Sequence, residues 1–184
     1  MNAMVPGLGG GKMSSSDPNS KIDFLDPPDD IRRKIKRSFC EEGNIVDNGL
    51  LAFLAAVLIP ISEMRLEQRI GKLSVDEAEG QNTPSDQTPF VTDDAPDGTV
   101  YTVHRDPKYG GPMHYCSFHE LQTDFLEKRL HPGDLKTSVA NSLIKLLDPI
   151  RKAFEESQEW QTVEKLAYPN PNAKPEKKKK VRTA

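Results

Sequence analysis

Apolar residues recur with helical spacing through several stretches of the chain and thin out between them. Ile31, Ile35 and Phe39 fall four apart behind Asp26-Pro27-Pro28-Asp29-Asp30. That run reads as a helix start: proline suits the first turn, and carboxylates suit the positive end of the helix dipole. Arg32, Arg33, Lys34, Lys36 and Arg37 cover the remaining faces, so the expected helix is amphipathic and basic. Gly43-Asn44 interrupts the pattern, and Asp47 or Asn48 can cap a second helix from Gly49 to Ile59. This one is apolar almost all round (Leu50, Leu51, Phe53, Leu54, Val57, Leu58, Ile59), as expected for the centre of a bundle, and Pro60 should end or bend it.

Further on, Val100 to His104 alternates like a short strand, and Arg105 to Pro112 forms a tight turn. Ser117-Phe118-His119-Glu120 has capping-box form, opening a helix that buries Phe118, Leu121 and Phe125 and leaves His119 on the surface. A second turn, His131-Pro132-Gly133-Asp134, places Asp134 as cap of a helix starting at Leu135. Leu135, Val139, Leu143, Leu146 and Ile150 mark its buried face. Asp148-Pro149 should kink or restart that helix, which continues through Phe154 to about Trp160.

Between Glu63 and Gly98 the periodicity fades into Asp, Glu, Ser, Thr, Gln and Pro, so residues of about 65–98 are expected to form a disordered acidic insertion. A tolerated surface insertion and a phosphorylatable regulatory loop both fit it. The Lys-rich end, 167–184, cannot build a core and is expected to be a disordered basic tail. It can attract RNA, act as a nuclear-import signal or simply solubilise the chain.

Composition adds limits. Hydrophobic residues make up 35 % of the 184 and the net charge is −3, so a single domain with tails is the expected size. No apolar run approaches the length of a membrane span, and the start lacks a signal-peptide pattern. Cys40 and Cys116 stand far apart without metal-type spacing, which suits two reduced thiols.

The candidate chemistry lies in Gly7-Leu8-Gly9-Gly10-Gly11-Lys12-Met13-Ser14-Ser15-Ser16. Glycines let backbone N–H groups turn toward an anion, and a lysine adds a mobile cation. Met13 stands where a Walker A loop carries Ser or Thr. A solvated Gly/Ser loop and a phosphate-handling loop fit these residues equally. Tyr109 sits between Lys108 and Gly110-Gly111, as a packed turn residue or as a stacking platform for an unpaired base.

Lys12-Met13-Ser14-Ser15-Ser16, together with Met4-Val5-Pro6-Gly7-Leu8 and Ser20-Lys21-Ile22-Asp23, resembles the KMSKS loop of tyrosyl-tRNA synthetases of the eukaryotic cytoplasmic, fungal-like type. Phe39-Cys40-Glu41, Gly43-Asn44, Lys108-Tyr109-Gly110-Gly111, His131 to Lys136 and Leu146 to Lys152 continue the resemblance in the family's order. It implies a mainly α fold: the end of a Rossmann-type class I catalytic domain over 1–38, then a helical anticodon-binding domain over 39–166. Lys12 would be the catalytic cation, with Met13, Ser14, Ser15 and Ser16 also contacting ATP. Ser15 replaces the family's second lysine, so this loop offers one charge fewer. Tyr109 would stack on the first anticodon base and Asp134 would accept hydrogen bonds from it, a guanine; Asp134 as a plain helix cap fits as well. ATP with Mg2+, tyrosine and tyrosine tRNA are the implied substrates and partners, with no tightly bound cofactor and no membrane. A cytoplasmic homodimer with a nuclear pool is implied too. None of His104, His114, His119 and His131 has the context of the family's H-x-G-H element, so the chain is expected to be a C-terminal portion, inactive alone. The rival expectations are a stand-alone tRNA-binding module and a non-catalytic interaction protein.

Overall fold

The computed structural model describes residues 6–14, 17–73 and 90–168. Helix α1 (Pro28–Arg37) begins where its residues dictate, with Pro27 as N-cap and Asp29 and Asp30 in the first turn. Ile31 and Ile35 are buried where α1 packs along α5 (Pro132–Glu156). Lys34 departs from the expected basic face: it is buried, and its Nζ lies 2.5 Å from Asp26 Oδ2. Its long apolar stem packs while the ammonium finds a carboxylate, an arrangement that spacing alone does not reveal.

Asn48 caps α2 (Gly49–Phe53), its side-chain oxygen accepting the Leu50 and Leu51 N–H groups at 3.2 Å each. Of the two outcomes expected at Pro60, an end or a bend, the helix does not end there. A π-helical turn, Leu54–Leu58, leads directly into α3 (Ile59–Leu73), and the Ile59 N–H bonds five residues back to the Leu54 carbonyl. Proline brings no N–H and crowds the carbonyl four residues before it, so widening the turn ahead of Pro60 relieves both problems without ending the helix. The joined helix Gly49–Glu67 is long and apolar enough, by length and composition, to cross a membrane, contrary to the expectation from the sequence. Leu50, Leu51, Leu54, Leu58 and Ile59 are nevertheless buried in the core.

Both flanks of the expected disordered insertion are ordered. Helix α3 runs on to Leu73, continuing the spacing of Leu66, Ile70 and Leu73, because extending a formed helix costs little compared with starting one. At the other end Phe90 is buried, its carbonyl accepting the Thr102 N–H at 2.9 Å and its ring tilted against Tyr101 at 6.4 Å. The buried ring and the hydrogen bonds of the turns that follow it, Ala95 N–H to the Thr92 carbonyl and Thr99 N–H to the Pro96 carbonyl, tie this segment to the core. Residues 74–89 and the tail from 169 onward lie outside the described residues.

Strands β1 (Tyr101–Val103) and β2 (Met113–Tyr115) form an antiparallel hairpin with Tyr101 opposite Tyr115 and Val103 opposite Met113. Ser117 caps α4 (Phe118–Leu126), accepting the Glu120 N–H at 3.3 Å, while Glu120 reaches back to the Cys116 N–H at 2.8 Å. Leu121 and Phe125 are fully buried, and His119 is exposed.

Helix α5 starts three residues earlier than expected. His131 is the N-cap, its Nδ1 accepting the Gly133 N–H at 3.0 Å, so Asp134 sits inside the first turn rather than capping it. Proline at the first helical position is pre-set for the helix, and the imidazole supplies the acceptor. The buried stripe is Leu135, Val139, Leu143 and Leu147, with Ile150 exposed. Pro149 lies on the solvent side and the helix runs through it without a restart, since water can take the carbonyl it leaves unbonded. The break comes at Ser157, whose hydroxyl accepts the Trp160 N–H at 3.2 Å and caps α6 (Gln158–Ala167). One hydrophobic core joins Leu8, α1, the α2–α3 helix, the hairpin, α4 and α5.

Candidate functional site

The glycine stretch closes on itself. The Gly7 N–H donates to the Gly11 carbonyl at 2.9 Å and the Gly10 N–H to the Gly7 carbonyl at 3.0 Å. Gly10 and Gly11 adopt φ of +83° and +69°, where a side chain would crowd the backbone. Leu8 anchors the loop: it is buried, its N–H donates to the Ser20 carbonyl at 3.0 Å, and its carbonyl accepts the Phe39 N–H at 2.8 Å. Ser20 also holds the far side, its hydroxyl lying 2.7 Å from the Ser14 carbonyl and accepting the Ser14 N–H at 3.3 Å. Gly49 supports the loop from beneath, because a Cβ built there would come within 2.3 Å of the Gly7 carbonyl oxygen.

Lys12 and Met13 stand exposed at the tip, and Ser14 is half-buried. Among the described residues the Gly9, Gly11 and Lys12 N–H groups find no acceptor within the chain. The loop therefore offers an anion both backbone donors and a mobile ammonium. Ser15 and Ser16 fall outside the described residues. Among the described residues no three His, Cys, Asp or Glu side chains converge to hold a metal ion.

The second candidate is the turn after β1. A 3-10 segment, Pro107–Tyr109, is capped by Asp106, whose carboxylate accepts the Lys108 N–H at 3.0 Å. Gly110, at φ +106°, reverses the chain, and Arg105 Nε ties the turn shut on the Gly111 carbonyl at 3.1 Å. The result is a Tyr109 ring 65 % exposed, with Lys108 Nζ 4.7 Å from its centroid. A flat aromatic face beside a cation suits stacking on a base and attracting its phosphates.

The strand that leads into this turn runs along α5 toward the helix start. Tyr101 Oη lies 3.2 Å from Ser142 Oγ, and the His104 N–H donates to Ser138 Oγ at 2.8 Å. Moving along β1 toward the turn thus shifts the partner from 142 to 138, toward the helix start where Asp134 stands. Among the described residues the half-buried Asp134 carboxylate accepts no hydrogen bond within the chain. Lys12 is on a separate feature, the loop held near the end of α1. The supports that sequence reasoning missed are Gly49, Arg105 and Lys136, whose Nζ reaches the Ser38 carbonyl at 2.8 Å. Gly49 and Lys136 act across elements distant in sequence, so no local pattern marks them, whereas Arg105 closes its own turn six residues on.

A model of the family described as tRNA synthetases class I (W and Y) matches residues 1–148. Over 172 residues the chain is 41 % identical to the cytoplasmic tyrosine–tRNA ligase of Danio rerio, covering 94 % of this chain and 26 % of that protein. Over 183 residues it is 39 % identical to the cytoplasmic tyrosine–tRNA ligase of Saccharomyces cerevisiae, covering 99 % of this chain and 39 % of that protein. It therefore spans well under half the length of these curated relatives. The fold is similar to the tyrosyl-tRNA synthetase of Pyrococcus horikoshii complexed with L-tyrosine, with a TM-score of 0.61 and 29 % identity over 87 % of this chain and 38 % of that one.

Proposed function

Because the chain belongs to the class I tRNA synthetases (W and Y), we propose that it supplies the ATP-contacting loop and the anticodon-reading surface of a tyrosine–tRNA ligase. The observation that supports the RNA half is that β1 runs toward the start of α5, the His104 N–H reaching Ser138 Oγ, with Tyr109 exposed in the turn that follows and the Asp134 carboxylate in the first turn of that helix. A guanine stacked on Tyr109 turns its N1–H and N2–H₂ donors outward, and a carboxylate accepts both. Adenine presents an acceptor at the first of those positions and is rejected by the same oxygen atoms.

For the loop, the ligase reaction sets the demand. The tyrosine carboxylate attacks the α-phosphate of ATP, the bond to pyrophosphate breaks, and negative charge grows on the leaving group. A cation and N–H donors already aimed at that charge help most in the transition state. Lys12 is the cation; the free N–H groups of Gly9 and Gly11 and the Ser14, Ser15 and Ser16 hydroxyls complete the cradle. His104 and His119 are exposed, His114 pairs across the hairpin with Thr102 and His131 caps α5, and no two of these four stand three apart with a glycine between them as an H-x-G-H pair would. On its own the chain is expected to bind RNA without exchanging pyrophosphate into ATP. The tyrosine ligase so assembled is a cytoplasmic homodimer using ATP with Mg2+.

The deciding experiment is fluorescence anisotropy of the chain with anticodon stem-loops that differ only in the first anticodon base. Guanine should bind at least about tenfold more tightly than adenine, roughly 1.4 kcal/mol. Asp134→Asn, which replaces one acceptor by a donor at unchanged size, should abolish that preference. Equal affinity for both stem-loops in the unaltered chain would refute the reading.

A further inference from the structure

Lys136 lies two residues beyond Asp134 on α5, and its Nζ crosses to the end of α1, donating to the Ser38 carbonyl at 2.8 Å and the Lys36 carbonyl at 3.1 Å. A helix leaves its last carbonyls without internal partners and its C-terminal end electronegative, so an ammonium is a strong cap for both reasons. Ser38 is fixed from its other side as well, its N–H and hydroxyl both donating to the Ile35 carbonyl, at 3.1 and 2.7 Å. The next residue, Phe39, donates its N–H to the carbonyl of Leu8, the buried anchor of the glycine loop. One connected path thus runs from the first turns of α5, through Lys136 and the end of α1, to the loop that carries Lys12. The ammonium is half-buried with two backbone acceptors, so it serves the protein's own architecture rather than standing free for a phosphate.

We propose that Lys136 is a positioning residue through which the RNA-reading end of α5 sets the seat of the nucleotide loop. The link to RNA rests on the function proposed above; the clamp itself does not. Backbone hydrogen exchange measured by NMR on the whole chain tests both, with two variants. Lys136→Met keeps the length and apolar stem but removes the charge and donors; Lys136→Arg keeps a cation with donors. If Lys136 merely fills space, methionine suffices.

The expected result is that Lys136→Met speeds exchange at the Phe39, Leu8 and Gly10 amides by about tenfold relative to Val100 and Thr102 in the hairpin, and that Lys136→Arg restores most of the protection. Unchanged rates at those three amides, or an equal rise at Val100 and Thr102, would overturn the clamp. Adding the guanine-bearing stem-loop should then slow the loop amides in the unaltered chain and in Lys136→Arg. Lys136→Met should bind the same RNA within about threefold yet show no slowing. RNA that binds without altering loop exchange would overturn the link. RNA that does not bind at all would refute the proposed function instead, with the free-chain rates still deciding the clamp.

Discussion

Replacing Gly49 by alanine tests whether the loop is seated on the start of α2. The added Cβ would lie 2.3 Å from the Gly7 carbonyl oxygen, 3.1 Å from its carbon and 3.4 Å from Leu8 Cα. The oxygen must retreat by roughly 1 Å to reach an ordinary contact, and it belongs to backbone, which cannot swing aside as a flexible side chain would. Two opposing effects meet here. Alanine favours a helix over glycine by up to about 1 kcal/mol. Overpacking costs about 1–3 kcal/mol, and lifting the loop also stretches the Leu8–Ser20 and Phe39–Leu8 hydrogen bonds, each contributing about 1 kcal/mol. The penalties win, leaving a net loss of roughly 2 kcal/mol and a Tm lower by about 4–8 °C. Thermal melting followed by circular dichroism measures it, with Gly9→Ala as control because a Cβ there meets nothing within 4 Å. A Gly49→Ala chain melting at or above the temperature of the unaltered one would show that helix propensity dominates and that the loop does not rest there.

Three further outcomes are expected. Lys34→Ala leaves a nearly buried carboxylate, Asp26, with the Asp23 N–H but no cation and should cost about 3 kcal/mol by urea denaturation; a loss below about 1 kcal/mol, the range of surface pairs, would contradict the burial. Burial is the main cause that holds the Tyr101 and Tyr115 phenols above the ordinary range, with the Asp124 carboxylate adding to it at Tyr115. A pKa raised by folding makes their contribution to stability full below about pH 10 and progressively lost as pH rises above it. Phenolate absorbance from these two should therefore appear together with loss of helical circular dichroism, and ionisation of all four tyrosines in a chain with intact helices would refute this. Finally, Lys12→Ala in the complete ligase should slow tyrosyl-adenylate formation by about a hundredfold or more in single-turnover assays while leaving tyrosine affinity nearly unchanged. Equal losses in rate and affinity would remove Lys12 from the transition state.

Local chemistry made much of this chain legible from its residues. The proline-and-aspartate start of α1, the Asn48 cap of α2, the Ser117 cap of α4 and the apolar spacing of Leu135, Val139 and Leu143 are decided within one or two helical turns. The candidate site was legible only in part: the glycine run before Lys12 fitted a solvated loop as well as an anion loop, and Tyr109 fitted a packed turn residue as well as the exposed ring that the fold gives it. Elsewhere tertiary contacts decided the outcome. Pro60 would end an isolated helix, yet a widened turn carries the helix past it, with Leu54 and Leu58 fixed in the core on either side of the widening. Lys34 reads as a surface charge until Asp26 folds against it, and Asp134 reads as a cap until His131 takes that place. Gly49 and Lys136 carry no local signal at all: one matters because a backbone 42 residues earlier passes within contact, the other because α1 ends beside it. Sequence alone determined which groups could do the chemistry, since that depends on residue type and near neighbours. Only the folded chain determined which of them meet, since that depends on packing between elements whose separation along the chain leaves no periodic trace.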